Sequence, residues 1–412
     1  MSESILVVGG GFAGITAALE AAEVGYEVYL VEKQPFLGGR VAQLNKYFPK
    51  LCPPSCGLEI QFQRIKKNPK VKILTMAEVT AVSGTAGNYE VTVQINPRHT
   101  GPGSIDMNGL AAELSQEVPK DFDFGMGVRK ALYMDAPFSY PSRFVLDAEN
   151  ITEDEKSVLA DNPNINLDEQ PKSITLDVGS IIIATGWKPY DVTNLTTLGA
   201  GTISNCISNM QMERLASANG PTNGAILRPS DSKAPKKVAF VQCAGSRDEN
   251  HLTFCSYICC MASLKQAVYL REQYPKSEVT IYYIDLRTPG RYDKFAKKVL
   301  ADDKIKTVKG KVAGAEEDPK TGDVWVTVED AVSGNKSQER FDMVVLATGM
   351  QPSVAQSGLP FEVIQTENDF LMDNESAGIF VAGCAKEPLD VMKSAQSATG
   401  AALKAIQTVR GR

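Results

Sequence analysis

Four cysteines, Cys243, Cys255, Cys259 and Cys260, fall within one stretch, QCAGSRDENHLTFCSYICC. Four thiolates converging on one point are the ligand set of a [4Fe–4S] cluster. The spacing is not the familiar C-x2-C-x2-C run, so taken alone it leaves three readings open. These are an iron–sulfur cluster, a zinc site, which an adjacent Cys-Cys pair suits poorly, and four unliganded buried thiols. A strand over 238–242 and a helix over 254–272 are expected around them. On such a helix Cys255 and Cys259 share one face and Cys260 lies about 100° around the axis. The positive end of the helix dipole would favour a negatively charged centre there. Of the remaining thiols, Cys206 reads as core. Cys52 and Cys56, in LCPPSCGLEI, are open between a redox dithiol and a structural or partner-contact role.

A second constellation opens the chain, ILVVGGGFAGITAALEAAEVGYEVYLVEK, Ile5 to Lys33. Gly9, Gly11 and Gly14 follow an apolar strand and open a helix. They allow a tight turn, close backbone approach to a pyrophosphate, and close helix–strand packing. Phe12 and Ala13 lie between them, where free N–H groups and the helix dipole favour phosphate. Glu32 ends the second strand, placed to accept from a ribose hydroxyl, and Lys33 follows it. No residue stands out as a general acid or base; Lys33, Arg40 and Lys386 are polar candidates near the nucleotide.

These residues need a frame. Strands are expected over 4–8 and 27–32, a helix over 12–24, a short strand over 71–74 and a hairpin over 78–83 and 88–95. One buried strand is expected over 174–184. From 96 to 172 prolines, glycines and acidic residues break the pattern, which predicts an inserted, partner-facing subdomain. A second strand–helix–strand unit follows, with strands over 238–242 and 279–285 and further strands between 312 and 328. The expected domains are 1–95 with 173–199 and 341–412 for the nucleotide, 96–172 for the insertion, and 200–340 for the cysteine-bearing unit.

Composition excludes several classes. The apolar fraction is 43%, the charged fraction 22% and the net charge -6, which argues against nucleic acid as a partner. No apolar run reaches the roughly 18 residues of a membrane helix, and no leader pattern precedes the first strand. A cytoplasmic protein is expected, with any membrane association through partners. Eight cysteines there point to metal or redox chemistry rather than disulfides. Only two histidines occur, so a histidine-rich metal site is not expected.

Further motifs carry resemblances. Gly38-Gly39-Arg40, the returns Ala184-Thr185-Gly186 and Ala347-Thr348-Gly349, and the late Gly378-Ile379-Phe380-Val381-Ala382-Gly383 resemble the two-dinucleotide-binding-domain flavoproteins typified by thioredoxin reductase. The resemblance implies an α/β fold with an inserted subdomain and FAD as cofactor. Beyond the fingerprint it implies cofactor contacts at Gly39, Arg40, Val79, Thr185, Gly186 and Gly383. Ser394 and Ala395 would belong to a helix over 394–402 aimed at the flavin. Cys384 replaces the Asp common in that family, so it reads as apolar filler more readily than as a redox group.

The segments around Cys243 and Cys255–Cys260, with FDFGMGVRKALY and Gly383-Cys384-Ala385, resemble the flavin-carrying A subunits of heterodisulfide reductases (HdrA) over essentially the whole chain. That resemblance implies a [4Fe–4S] cluster on Cys243, Cys255, Cys259 and Cys260 beside FAD. Residues 96–119 carry no cysteine, unlike members with a ferredoxin-like insert, and the further cluster domains of longer members are not found. A short member of this kind is similar to the A subunits of the quinone-interacting membrane-bound oxidoreductases of sulfate-reducing bacteria. It implies three partners: a second flavin/iron–sulfur subunit, a membrane quinone-reacting subunit, and adenylylsulfate reductase. A homodimer is compatible. Three rivals remain open: a sulfur-oxidation heterodisulfide reductase-like subunit, an NAD(P)H-dependent disulfide or polysulfide oxidoreductase, and a scaffold keeping FAD structurally.

Overall fold

The run Ile5–Val8 is almost wholly buried because it is the middle strand of a parallel sheet covered on both faces. A computed structural model describes residues 2–104, 106–331, 333–355 and 358–411; residues 1 and 412, the ends expected of the first domain, lie outside them. The chain divides into two units, Met1–Trp187 with Pro352–Arg412, and Lys188–Gln351. In the first, five parallel strands run in the order Ile379–Val381, Ser180–Ile183, Ile5–Val8, Val28–Glu32, Val71–Thr75. The helices Phe12–Glu23 and Val391–Val409 pack on one another through small residues such as Ala18, Ala401 and Ala405.

The single strand expected over 174–184 is two. Lys172–Val178 pairs antiparallel with Asn88–Ile95, which pairs with Ala77–Thr85, while Ser180–Ile183 joins the parallel sheet. Gly179 makes the corner, where the Ser2 carbonyl and Val409 leave no room for a Cβ. The 96–172 segment has its own small core of Met107, Leu114, Leu132, Phe144, Leu146 and Leu159. Its helix Glu153–Ala160 starts at a capping box between Thr152 and Glu155.

The second unit holds a seven-stranded sheet in the order Cys206–Ser208, Met343–Thr348, Lys237–Ala244, Glu278–Tyr283, Ile305–Glu317, Val324–Asp330, Lys336–Phe341. The first five strands are parallel and the last two turn back antiparallel. This moves two expected boundaries. Residues 341–351 are expected from sequence to join the nucleotide domain, yet Met343–Thr348 lies hydrogen-bonded between two strands of the second sheet. Residues 188–199 also fall in the second unit, Leu195 and Leu198 filling its core. Among the described residues no helix is long and apolar enough to cross a membrane.

Candidate nucleotide and cysteine sites

In the first unit the glycine turn is built by close approach. Gly9 has φ +108°, and a Cβ there would run into the Ala184 carbonyl. A Cβ on Gly14 would sit on the Gly9 carbonyl oxygen, so the helix start packs directly on the turn. Gly11 differs: its side is open, the nearest atom to an added Cβ being Gly39 Cα at 3.9 Å. Gly11 is also the N-cap of the helix Phe12–Glu23, and no side chain caps it. The first-turn N–H groups, Phe12 and Ala13 included, therefore face an opening that a phosphate fits.

The Gly38-Gly39-Arg40 turn lies against this one, Gly38 N–H donating to the Gly10 carbonyl at 2.8 Å. Gly383 has φ +66°, and a Cβ there would lie 2.7 Å from the Ala13 Cβ, which brings the late glycine motif to the same helix start. Thr185 Oγ1 is buried beside this turn with no hydrogen-bond partner among the described residues. Gly186, at φ +69°, has open space on its side. An uncapped helix start, an open glycine and an orphaned hydroxyl are what a bound dinucleotide would complete. Ser394 and Ala395 lie in the first turns of Val391–Val409, a helix longer than expected because Asp390 caps it by accepting from Lys393 N–H.

Other expected contacts are already engaged. The Glu32 carboxylate accepts from Gly10 N–H at 2.5 Å and Gln34 N–H at 2.7 Å. Burial raises its pKa, with those N–H groups opposing the shift. Lys33 pairs with Glu78 at 3.1 Å in an exposed position, and Lys386 pairs with Asp373 at 3.0 Å. Val79 lies half-buried at a bulge of its strand. Cys384 Sγ is enclosed 3.4 Å from the Leu389 carbonyl and 3.7 Å from Ser394 Oγ, and burial pushes its thiol up. Arg40 has no carboxylate partner among the described residues. Its guanidinium donates to the Trp187 carbonyl and Gln43, lies over the Phe124 ring, and burial lowers its pKa. Gln43, Phe124 and Trp187 were not foreseen; Phe124 belongs to the FDFGMG segment, the one signal that marked it.

In the second unit Gln242-Cys243-Ala244 closes the strand Lys237–Ala244, where Gly9-Gly10-Gly11 follows the strand Ile5–Val8. No helix starts there. The expected helix over 254–272 begins only at Cys259, so Cys255 lies in the preceding loop and shares no helix face with Cys259. Tyr257 is left-handed at φ +65°, and Ser256 Oγ is bonded to Ser246 Oγ and, far along the chain, to Met350 N–H, each at 2.9 Å. The loop is stitched further by Arg247 N–H to the Phe254 carbonyl and by Tyr190 Oη to His251 Nδ1 at 2.8 Å.

Cys259 and Cys260 are the first two residues of the helix, and Cys243, next to last in its strand, sits at φ +56°. Burial raises the Cys259 thiol well above its ordinary range, and Cys243, Cys260 and Cys255 each raise it further. Cys243 and Cys260 are likewise raised, chiefly by burial, with Arg247 opposing the shift at Cys243. The four thiols thus lie within one another's electrostatic reach. They are not drawn to one point: Cys259 Sγ is turned to the Thr348 carbonyl at 3.6 Å and Cys260 Sγ to the Asp285 carbonyl at 3.5 Å. Among the described residues no three His, Cys, Asp or Glu side chains are arranged as a metal-ion ligand set. The donor types still suit a sulfide-bridged cluster, since burial and mutual repulsion oppose thiolates unless cationic metal compensates them. Cys52 is half-buried and Cys56 exposed, while Cys206 is buried, its thiol pushed up to about 12.

Residues 4–49 match the family model described as FAD dependent oxidoreductase. The chain is 37% identical over 98% of its length to an iron-sulfur A subunit (the second of two forms) of the CoB–CoM heterodisulfide reductase of Methanopyrus kandleri, covering 64% of that protein. It is 35% identical over 100% of its length to the A subunit of the H(2):CoB–CoM heterodisulfide,ferredoxin reductase of Methanothermobacter marburgensis, covering 65% of it. It is 34% identical over 99% of its length to a protein of Archaeoglobus profundus described as like the heterodisulfide reductase A subunit, covering 66% of it. The chain therefore spans just under two thirds of these relatives' length. Among solved structures, thioredoxin reductase from Lactococcus lactis aligns over 100% of both chains at TM-score 0.55 and 15% identity. Bacillithiol disulfide reductase from Bacillus cereus does so at TM-score 0.55 and 13% identity. The fold is that of a thioredoxin reductase-like, two-dinucleotide-binding-domain oxidoreductase. The sequence is similar to heterodisulfide reductase A subunits along its whole length.

Proposed function

We propose that this chain is an electron-transfer oxidoreductase subunit holding FAD in its first unit and a [4Fe–4S] cluster in its second. When bound, the two groups would supply two-electron and one-electron redox chemistry respectively. The protein's own part is to hold and shield them. Gly9, Gly11 and Gly14 with the uncapped N–H groups would bind the pyrophosphate, and Thr185 would offer its orphaned hydroxyl. Arg40 would bring a buried positive charge near the glycine turns. Cys243, Cys255, Cys259 and Cys260 would ligate the cluster once Cys259 and Cys260 leave their carbonyl partners.

One observation carries this reading. At the strand end where a second dinucleotide would be cradled, the chain places a bulge and a stitched loop carrying thiols instead of a glycine turn and a helix start. That argues against the NAD(P)H-dependent alternative. The relatives' names support a heterodisulfide reductase-like subunit working within a larger assembly. The cysteine-free residues 96–119 further support the insert-less, quinone-linked version. In it, electrons pass between the quinone pool and adenylylsulfate reductase. A membrane quinone-reacting subunit with a second flavin/iron–sulfur subunit would carry them, and membrane association then comes through those partners.

The test is anaerobic purification with flavin, iron and acid-labile sulfide quantitation, plus EPR of the dithionite-reduced protein. Wild type is expected to carry FAD, iron and sulfide. Cys259→Ala is expected to lose the EPR signal and most of the iron while keeping FAD. FAD without iron in wild type would defeat the cluster half of the proposal.

A further inference from the structure

Two side chains flanking the thiols have polar atoms that nothing in the protein satisfies. Gln242, 6% exposed, has neither its amide nitrogen nor its amide oxygen hydrogen-bonded among the described residues. Ser263, 0% exposed, has an equally unpartnered hydroxyl. Gln242 immediately precedes Cys243. Ser263 lies one helical turn after Cys259, on the same face. Strand alternation separates Phe240 from Ala239 and Val241, and at Gln242 and Cys243 the ladder breaks, Ala244 returning to the Ala239 side. Ala239 and Val241 join the cluster containing Tyr190, Leu198 and Phe341, in which, among the described residues, none comes from the helix Cys259–Gln273. That helix packs against the strand, so it lies on the Phe240 side. Gln242 adjoins Cys243 and Ser263 follows Cys259 by one turn, so both orphaned groups flank residues that carry the thiols.

Buried amides are almost always paired, and one left with both ends open points to a partner outside the protein. Hydrogen-bond donors to the sulfurs of an iron–sulfur centre stabilise its reduced, more negative state and raise its potential.

We propose that the Gln242 carboxamide is a cofactor-contacting group, donating N–H to a sulfur of the centre held by the four cysteines, with Ser263 Oγ as a second donor. The inference rests on the cluster reading above and goes beyond ligation: it assigns the residues that tune the centre. It also accounts for glutamine at the position where the first unit has Gly9.

The test compares wild type, Gln242→Met and Ser263→Ala as full chains purified anaerobically. Gln242→Met is expected to retain iron and labile sulfide, and its midpoint potential in an EPR-monitored titration is expected to shift negative. Ser263→Ala is expected to move the potential the same way. A second readout does not need the potential. In apoprotein, Gln242→Met should raise the melting temperature, because it removes an unsatisfied amide. The further rise on cluster reconstitution should be smaller than in wild type. An unchanged potential with the cluster retained, or an undiminished rise on reconstitution, overturns the proposal. Wild type that carries no iron overturns the cluster reading itself, a result the iron assay separates from the other two. Should Gln242→Met fail to fold, Ser263→Ala carries the same comparison.

Discussion

Replacing Gly11 with alanine separates what the glycine turn does for the fold from what it does for the nucleotide. Gly11 sits at φ -73° and ψ -178°, extended backbone that alanine adopts, and an added Cβ meets nothing closer than 3.9 Å. The stability change should stay within about 1 kcal/mol, the lower unfolded-state entropy of alanine offsetting its poorer N-cap preference. The methyl would nevertheless stand in the opening through which a pyrophosphate reaches the uncapped helix. Losing one charge-assisted hydrogen bond there costs about 1.5–3 kcal/mol, or about 10- to 150-fold in Kd. Gly14→Ala is the control, because its Cβ would land on the Gly9 carbonyl oxygen and backbone has to move. Overpacking of that kind costs about 1–3 kcal/mol and lowers Tm by about 2–12 °C for a unit of this size. Fluorescence titration of apoprotein with FAD, alongside thermal melts, reads both quantities. Gly11→Ala binding FAD as tightly as wild type, or melting as low as Gly14→Ala, refutes the reasoning.

Two carboxylates in the insertion should titrate in opposite senses. Glu155 accepts from Thr152 N–H at 2.8 Å and from Ser115 N–H at 2.5 Å; the Thr152 N–H is the largest cause holding it down at about 2. Its stabilisation is present above about pH 4.5 and fades as pH falls towards 2. Glu155→Gln should therefore cost about 1–2 kcal/mol at pH 7 and visibly less near pH 3 in urea denaturation; an equal loss at both pH values counts against this. Burial pushes Asp135 up to about 6, so its contribution is fullest below about pH 4 and is lost as pH rises through 6. Asp135→Asn should accordingly gain up to about 3 kcal/mol at pH 7.5 and almost nothing at pH 4. A gain that ignores pH in thermal melts would show that another effect dominates.

The nucleotide turn was legible because its constraints are local: Gly9, Gly11 and Gly14 act on backbone within one strand–turn–helix. The cysteine helix was misjudged because its start is set by tertiary bonds. Ser256 is claimed by Ser246 and by Met350, far along the chain, and no period in the sequence reports that. The corner at Gly179 did leave a trace, since glycine inside an apolar strand pattern often marks a close backbone approach. The boundary near 341 left none. MVVLATG and IIIATG read alike, and which sheet adopts a strand depends on partners remote in sequence. Gln242 likewise gave no signal, because burial without a partner is visible only in three dimensions.

The loop between Cys243 and Cys259 is held mainly by serine hydroxyls, a Tyr190–His251 contact and backbone bonds, with one sulfur contact, Tyr257 N–H to Cys255 Sγ at 3.4 Å. If a cluster occupies this site as proposed, a loop pinned mainly by oxygen and nitrogen contacts would hold its course before any inorganic guest arrives. Oxidative damage to such a guest would then leave an intact shell ready for refilling. Repair would then be a matter of delivery rather than of refolding.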